Sequence, residues 1–107
     1  MVWKVKTAFG EEDILFVNAG VFQPAPIRQI SEEMFDHQMN INFNGAFFTT
    51  EKILSILNDG ASIINLSSIN TYKGISNTAI YAASKAALNS FTRTAAKELA
   101  PRKIRIN

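Results

Sequence analysis

The chain has 107 residues, room for one domain, with 11 Lys+Arg against 9 Asp+Glu and a formal net charge of +2. That balance excludes an acidic-tail protein and argues against a nucleic-acid binder, while 47% hydrophobic and 19% charged residues make a globular composition. The lack of cysteine excludes a disulfide scaffold, a thiol nucleophile and a thiolate zinc site, and the lone His37 leaves no histidine metal cluster. Apolar runs such as Ile14 to Val17 are too short to span a bilayer. MVWKVKTAFGEED lacks the apolar core of a signal peptide, so the cytoplasm is the expected compartment.

In chain order, Val2 to Phe9 reads as a helix tail closed by a Gly10 cap, followed by an acidic loop at Glu11-Glu12-Asp13. Ile14-Leu15-Phe16-Val17, bounded by Asp13 and by Asn18-Ala19-Gly20, has the signature of a strand buried on both faces. Val21 to Ile30 holds Pro24 and Pro26 and reads as a loop. Ser31 is a candidate N-cap, with Glu32 and Glu33 in the positive first turn of a long helix running to about Asn58. Asn42, Asn44 and Gly45 are weak helix formers and predict a kink; Asp59-Gly60 stops the helix. Ala61 to Leu66 is a second buried strand, and Ser67 to Thr71 is the polar loop at its carboxyl end. Thr78 to Leu99 is an Ala-rich helix with Pro101 beyond it, and Lys103 to Asn107 begins a third strand.

Strands alternating with helices imply βαβ units: an α/β fold with a parallel sheet of about three strands and two long helices on one face. The other face would then be bare, although parallel sheets are normally covered on both. Each large apolar side chain left wet forfeits roughly 1.5–3 kcal/mol, so half a dozen would forfeit on the order of 10 kcal/mol, comparable with a domain's whole stability. Residues 1–107 therefore read as a single incomplete domain whose bare face needs more chain or a partner, and an oligomer is expected.

Tyr81 and Lys85 stand four residues apart on a predicted helix, which puts both on one face. A tyrosine hydroxyl yields its proton reluctantly at neutral pH, and a nearby ammonium favours the phenolate, so the pair is a sensible proton-transfer device. Taken alone, the plainer reading is a surface lysine beside a half-buried tyrosine. Ser68 lies at the predicted carboxyl end of a strand, where open α/β sheets bind ligands, and its hydroxyl suits a substrate carbonyl; a local loop or cap bond is the plainer use. Asn18-Ala19-Gly20 would let a cofactor approach the backbone, or would simply make a turn. Asn42 would orient water or a lysine through the kink, or would be a tolerated polar residue on the wet face. His37 reads as an exposed helix residue, and Phe43, Phe47 and Phe48 as core or helix interface. Arg93, Lys97, Arg102, Lys103 and Arg105 read as a helix-dipole effect plus solvated surface.

Taken in order, DILFVNAG (13–20), NFNG (42–45), INLSS (64–68), YAASK (81–85) and IRIN (104–107) resemble the short-chain dehydrogenase/reductase family over essentially the whole chain. The resemblance implies a Rossmann-type sheet and an NAD- or NADP-dependent oxidoreductase acting on a small carbonyl or alcohol. By position, Tyr81 would be the general acid/base. Lys85 would assist it and bind the nicotinamide ribose. Ser68 would polarise the substrate, and Asn42 would hold a proton-relay water near Lys85. Asn18, Ala19 and Gly20 would line the cofactor, and the two long helices would form a homo-oligomer interface.

The departures are informative. Val17 stands where the family has a first Asn, and Thr71 where it often has Gly. Gly occurs only at 10, 20, 45, 60 and 74, so the family's glycine-rich phosphate loop is absent from these residues. Weak cofactor binding and negligible turnover are expected of this chain alone. Two further readings stay open: a non-catalytic, self-associating or partner-binding module, and an accessory subunit completed by another polypeptide.

Overall fold

The computed structural model describes residues 1–107 as one three-stranded parallel sheet with helices packed against it. Helix α1 (Val2–Phe9) ends at Gly10, whose left-handed φ of 83° lets its N–H reach back to the Lys6 carbonyl at 2.9 Å. Strand β1 (Glu12–Val17) starts inside the predicted acidic loop, because the Glu12 N–H is drawn to the Ile56 carbonyl at 2.8 Å. Ser31 caps α2 (Glu32–Met39) as predicted: its Oγ accepts from the Met34 N–H at 3.1 Å.

The predicted kink is a π turn over Asn40–Asn44, after which α3 (Gly45–Ile53) resumes the helix. The helix does not continue to Asn58. It stops at Ile53, and strand β2 (Leu57–Asn65) begins four residues before the predicted Ala61. Arg102 explains the early stop. Its Nη1 donates to the Leu54 carbonyl at 2.9 Å, its Nη2 to the Leu57 carbonyl, and its Nε to Asp59 Oδ1 at 2.9 Å. Carbonyls left without partners at the helix end are thus satisfied from far along the chain. Arg102 is a structural staple and not the solvated surface residue that the sequence suggests. Asp59-Gly60, read as a helix stop, instead forms an irregularity within β2. Glu12 pairs with Leu57 while Ile14 pairs with Ser62, and Gly60 takes a φ of 86° in the extra length.

Helix α4 (Ala79–Leu99) follows N-cap Thr78, and β3 (Arg105–Ile106) closes the sheet in the order β1-β2-β3. The aligned residues Leu15, Ile63 and Ile106 face the helices, joined by Val17, Ile53 of α3 and Leu88 of α4 in one core. Phe43 and Phe47 meet Phe91 of α4 with ring centroids 6.5 Å and 5.1 Å apart, the expected helix interface, whereas Phe48 is exposed. The opposite sheet face carries Ile14 (67% exposed), Phe16 (56%) and Ile64 (46%). The strands are therefore buried on one face only; the continuous apolar runs predict two-sided burial, but both helices pack on the same side. No helix is long and apolar enough to cross a membrane.

This asymmetry has a measurable consequence. Ile63→Ala should lower stability by about 2–5 kcal/mol, the usual cost of a core cavity, and Ile64→Ala by roughly 0.5 kcal/mol or less. Urea unfolding of the two variants reads the difference; equal losses would mean that the second face is covered as well.

Candidate active site

The π turn places Asn42 completely out of solvent, facing the segment that leaves β1. Its Oδ1 accepts from the Val21 N–H at 2.7 Å, and its Nδ2 donates to the Val21 carbonyl at 2.9 Å and to Ser84 Oγ at 3.0 Å. Ser84, also fully buried, donates in turn to the Tyr81 carbonyl at 2.7 Å. One side chain thus ties the exit of β1 to the first turns of α4. One turn earlier on α2, buried Gln38 accepts the Gln23 N–H on its Oε1 at 3.1 Å.

Lys85 is 4% exposed, and its Nζ donates to the Leu66 carbonyl at 2.8 Å, at the carboxyl end of β2. Burial pushes its pKa below the ordinary 10.5, since desolvation disfavours the ammonium. Gly20 lies against this group: a Cβ there would fall 3.3 Å from Lys85 Nζ and 3.3 Å from Asn42 Oδ1. Tyr81 is half-buried, one helical turn before Lys85, with its ring edge-on to Phe22 at 4.9 Å between centroids.

Ser68 lies just beyond β2, where its Oγ accepts from the Asn70 N–H at 3.2 Å and caps the short turn Ile69–Thr71. The plainer reading of this residue is thus realised, while its hydroxyl proton stays uncommitted within the fold. The neighbouring Ser67 Oγ is buried without a partner. Of the sequence candidates, Gly20, Asn42 and Lys85 are brought together, and Ser84 joins Asn42 to the turn that carries Tyr81. Asn18 and Ala19 are exposed and make no such contact, and His37 is exposed as expected. Sequence reasoning missed Gln38, Ser84 and Phe22. The four-residue spacing of Gln38 and Asn42 was a usable signal; the bridging of Ser84 was not.

Comparison with known proteins shows the family to which the chain belongs. The family described as enoyl-(acyl carrier protein) reductase matches residues 1–107. The 3-oxoacyl-[acyl-carrier-protein] reductase FabG of Thermotoga maritima is 38% identical over 109 residues, covering 100% of this chain and 44% of its own length. A short-chain dehydrogenase/reductase from Serratia marcescens superposes with a TM-score of 0.96 at 33% identity, over 99% of this chain and 44% of that one. The landomycin C-6 ketoreductase LanV, solved with bound NADP and rabelomycin, superposes at 0.92 with 34% identity, over 98% of this chain and 44% of that one. The chain belongs to the short-chain dehydrogenase/reductase family. It spans about two-fifths of the length of the curated relatives it matches.

Two outcomes follow from the site. Asn42→Ala strands both polar groups of Val21 and should lower stability by about 1–3 kcal/mol in denaturant unfolding; a neutral effect would mean that the clamp is dispensable. Lys85 releases its proton at lower pH folded than unfolded. Between its lowered value and 10.5 the unfolded chain holds more protons, so stability contributed by Lys85 rises with pH through that window and is flat below it. The difference in unfolding free energy between wild type and Lys85→Met should therefore shift toward wild type as the pH is raised toward 10.5; a difference that stays constant would place Lys85 in water.

Proposed function

We propose that this chain carries the catalytic residues of an NAD- or NADP-dependent oxidoreductase that interconverts a small carbonyl compound and its alcohol. The observation that carries the reading is Lys85, buried beside Gly20 and one turn from Tyr81. The residues fit a nicotinamide ribose. A side chain at residue 20 would crowd Asn42 Oδ1 and Lys85 Nζ at 3.3 Å, and Lys85 has N–H donors beyond the one on Leu66.

Lys85 would hold the ribose hydroxyls, with Gly20 leaving room and Asn18 and Ala19 lining the approach. The dinucleotide, when bound, supplies or accepts the hydride at the carbonyl carbon. In the reduction direction Tyr81 donates its hydroxyl proton to the carbonyl oxygen, and in oxidation it takes that proton back. Ser68 polarises the oxygen with its uncommitted O–H, and Asn42, whose amide is spent on Val21 and Ser84 and is not left for the expected water, keeps the β1 exit and α4 in register. No Gly-x-Gly phosphate cradle lies within these residues, so cofactor affinity of the chain assayed alone is weak. A homo-oligomer in the cytoplasm belongs to the same reading, supported by Phe48 on α3 and by the bare sheet face, both exposed.

The test is a titration of the purified chain with NADH and NADPH by nicotinamide fluorescence. Oxidation of the reduced cofactor by a panel of aldehydes and ketones is then followed on long incubation. A weak fluorescence response with at most a trace of carbonyl-dependent oxidation is expected, and Tyr81→Phe should remove that trace without removing the fluorescence response. No response up to millimolar cofactor, with concentration-dependent association indifferent to it, would instead favour a non-catalytic module.

A further inference from the structure

The segment that follows Gly20 is held at alternate residues by three unrelated partners. The Val21 N–H goes to Asn42 Oδ1 at 2.7 Å, the Gln23 N–H to Gln38 Oε1 at 3.1 Å, and the Ala25 N–H to the Asn77 carbonyl at 2.9 Å. Asn77, in the left-handed region at φ 68°, belongs to the loop that leads into α4. Two of these anchors are buried side chains, each 1% exposed or less. A loop fixed at every second amide has little freedom, so the residue between the first two anchors is presented in one place.

That residue is Phe22. It is 56% exposed, yet its ring lies edge-on against Tyr81 at 4.9 Å and 73°. An aromatic side chain that is rigidly placed, open to solvent and in contact with the proton donor has an apolar face ready for whatever meets that donor. We propose that Phe22 is a specificity-determining wall of the site, selecting carbonyl compounds whose carbonyl bears a flat aromatic group. The inference rests on Tyr81 as the proton donor of the preceding subsection. It adds the substrate class: an aryl ring stacks on or against Phe22 while its carbonyl oxygen reaches the Tyr81 hydroxyl. A short aliphatic ketone leaves the Phe22 ring wet and gains nothing from it.

The experiment measures binding and turnover separately. 4-Fluoroacetophenone and butanone are titrated into the chain, and dissociation constants are read from ligand and aromatic-ring NMR shifts, for wild type, Phe22→Ala, Phe22→Leu and Tyr81→Phe. Because Phe22 is largely exposed, its variants keep the fold, checked by circular dichroism. Wild type is expected to prefer the aryl ketone, Phe22→Ala to lose about tenfold of that preference, and Phe22→Leu to fall between. With NADPH then added as the hydride donor, Tyr81→Phe should retain the preference while the carbonyl reduction shown by wild type is lost. Preference without any reduction by wild type would sink the catalytic reading and leave the wall standing. Reduction without preference, or a preference untouched by Phe22→Ala, would overturn the wall and leave the catalytic reading intact.

Discussion

The bidentate grip of Asn42 on Val21 is the constraint from which the rest of the site follows. An amide side chain that accepts from the N–H and donates to the C=O of one residue holds the two peptide units flanking that residue in distance and in rotation. The π turn aims it: an extra residue in the turn Asn40–Asn44 lets Asn42 face the β1 exit between two helical segments. With its remaining N–H spent on Ser84, Asn42 also fixes where α4 begins, and with it the placement of Tyr81 and Lys85. A fully buried amide with all these partners in place rigidifies; the same amide with one partner missing would be a defect.

Lys85 is the counterpart of that clamp on the other strand. Its bond to the Leu66 carbonyl joins α4 to the end of β2, so the helix is pinned to the exits of both strands. The cost is a desolvated ammonium, which burial makes easier to deprotonate. Such a group is a poor contributor to stability and a useful one for chemistry, and Gly20 leaves the space beside it unfilled.

Local chemistry was legible in the sequence wherever partners lie within a turn of each other. Ser31 as a cap, Gly10 as a helix stop, the weak helix formers around Asn42 and the spacing of Tyr81 and Lys85 all follow from near neighbours. What could not be read depends on residues far apart. The end of α3 is set by Arg102, and the start of β2 by pairing with β1 across an irregular register. The apolar runs of β1 and β2 state a capacity for burial on two faces; where the helices pack decides which face receives it, and Ile14, Phe16 and Ile64 are left out. Within the site, Asn42 and Gln38 were visible as residue types, but their partners at Val21 and Gln23 lie in a loop whose path no periodicity reports.

The Arg102 staple also bears on the order in which the molecule assembles. Its partners at Leu54, Leu57 and Asp59 lie more than forty residues upstream, on the far side of all of α4. Closing a segment of that length is entropically unfavourable, and its formation lags behind contacts made over shorter separations such as that of Asn42 with Val21. The junction between α3 and β2 therefore acquires its final carbonyl partners late. Until then the boundary between helix and strand is open to negotiation, and that is the stretch where the helical reading of the sequence and the strand seen in the fold diverge.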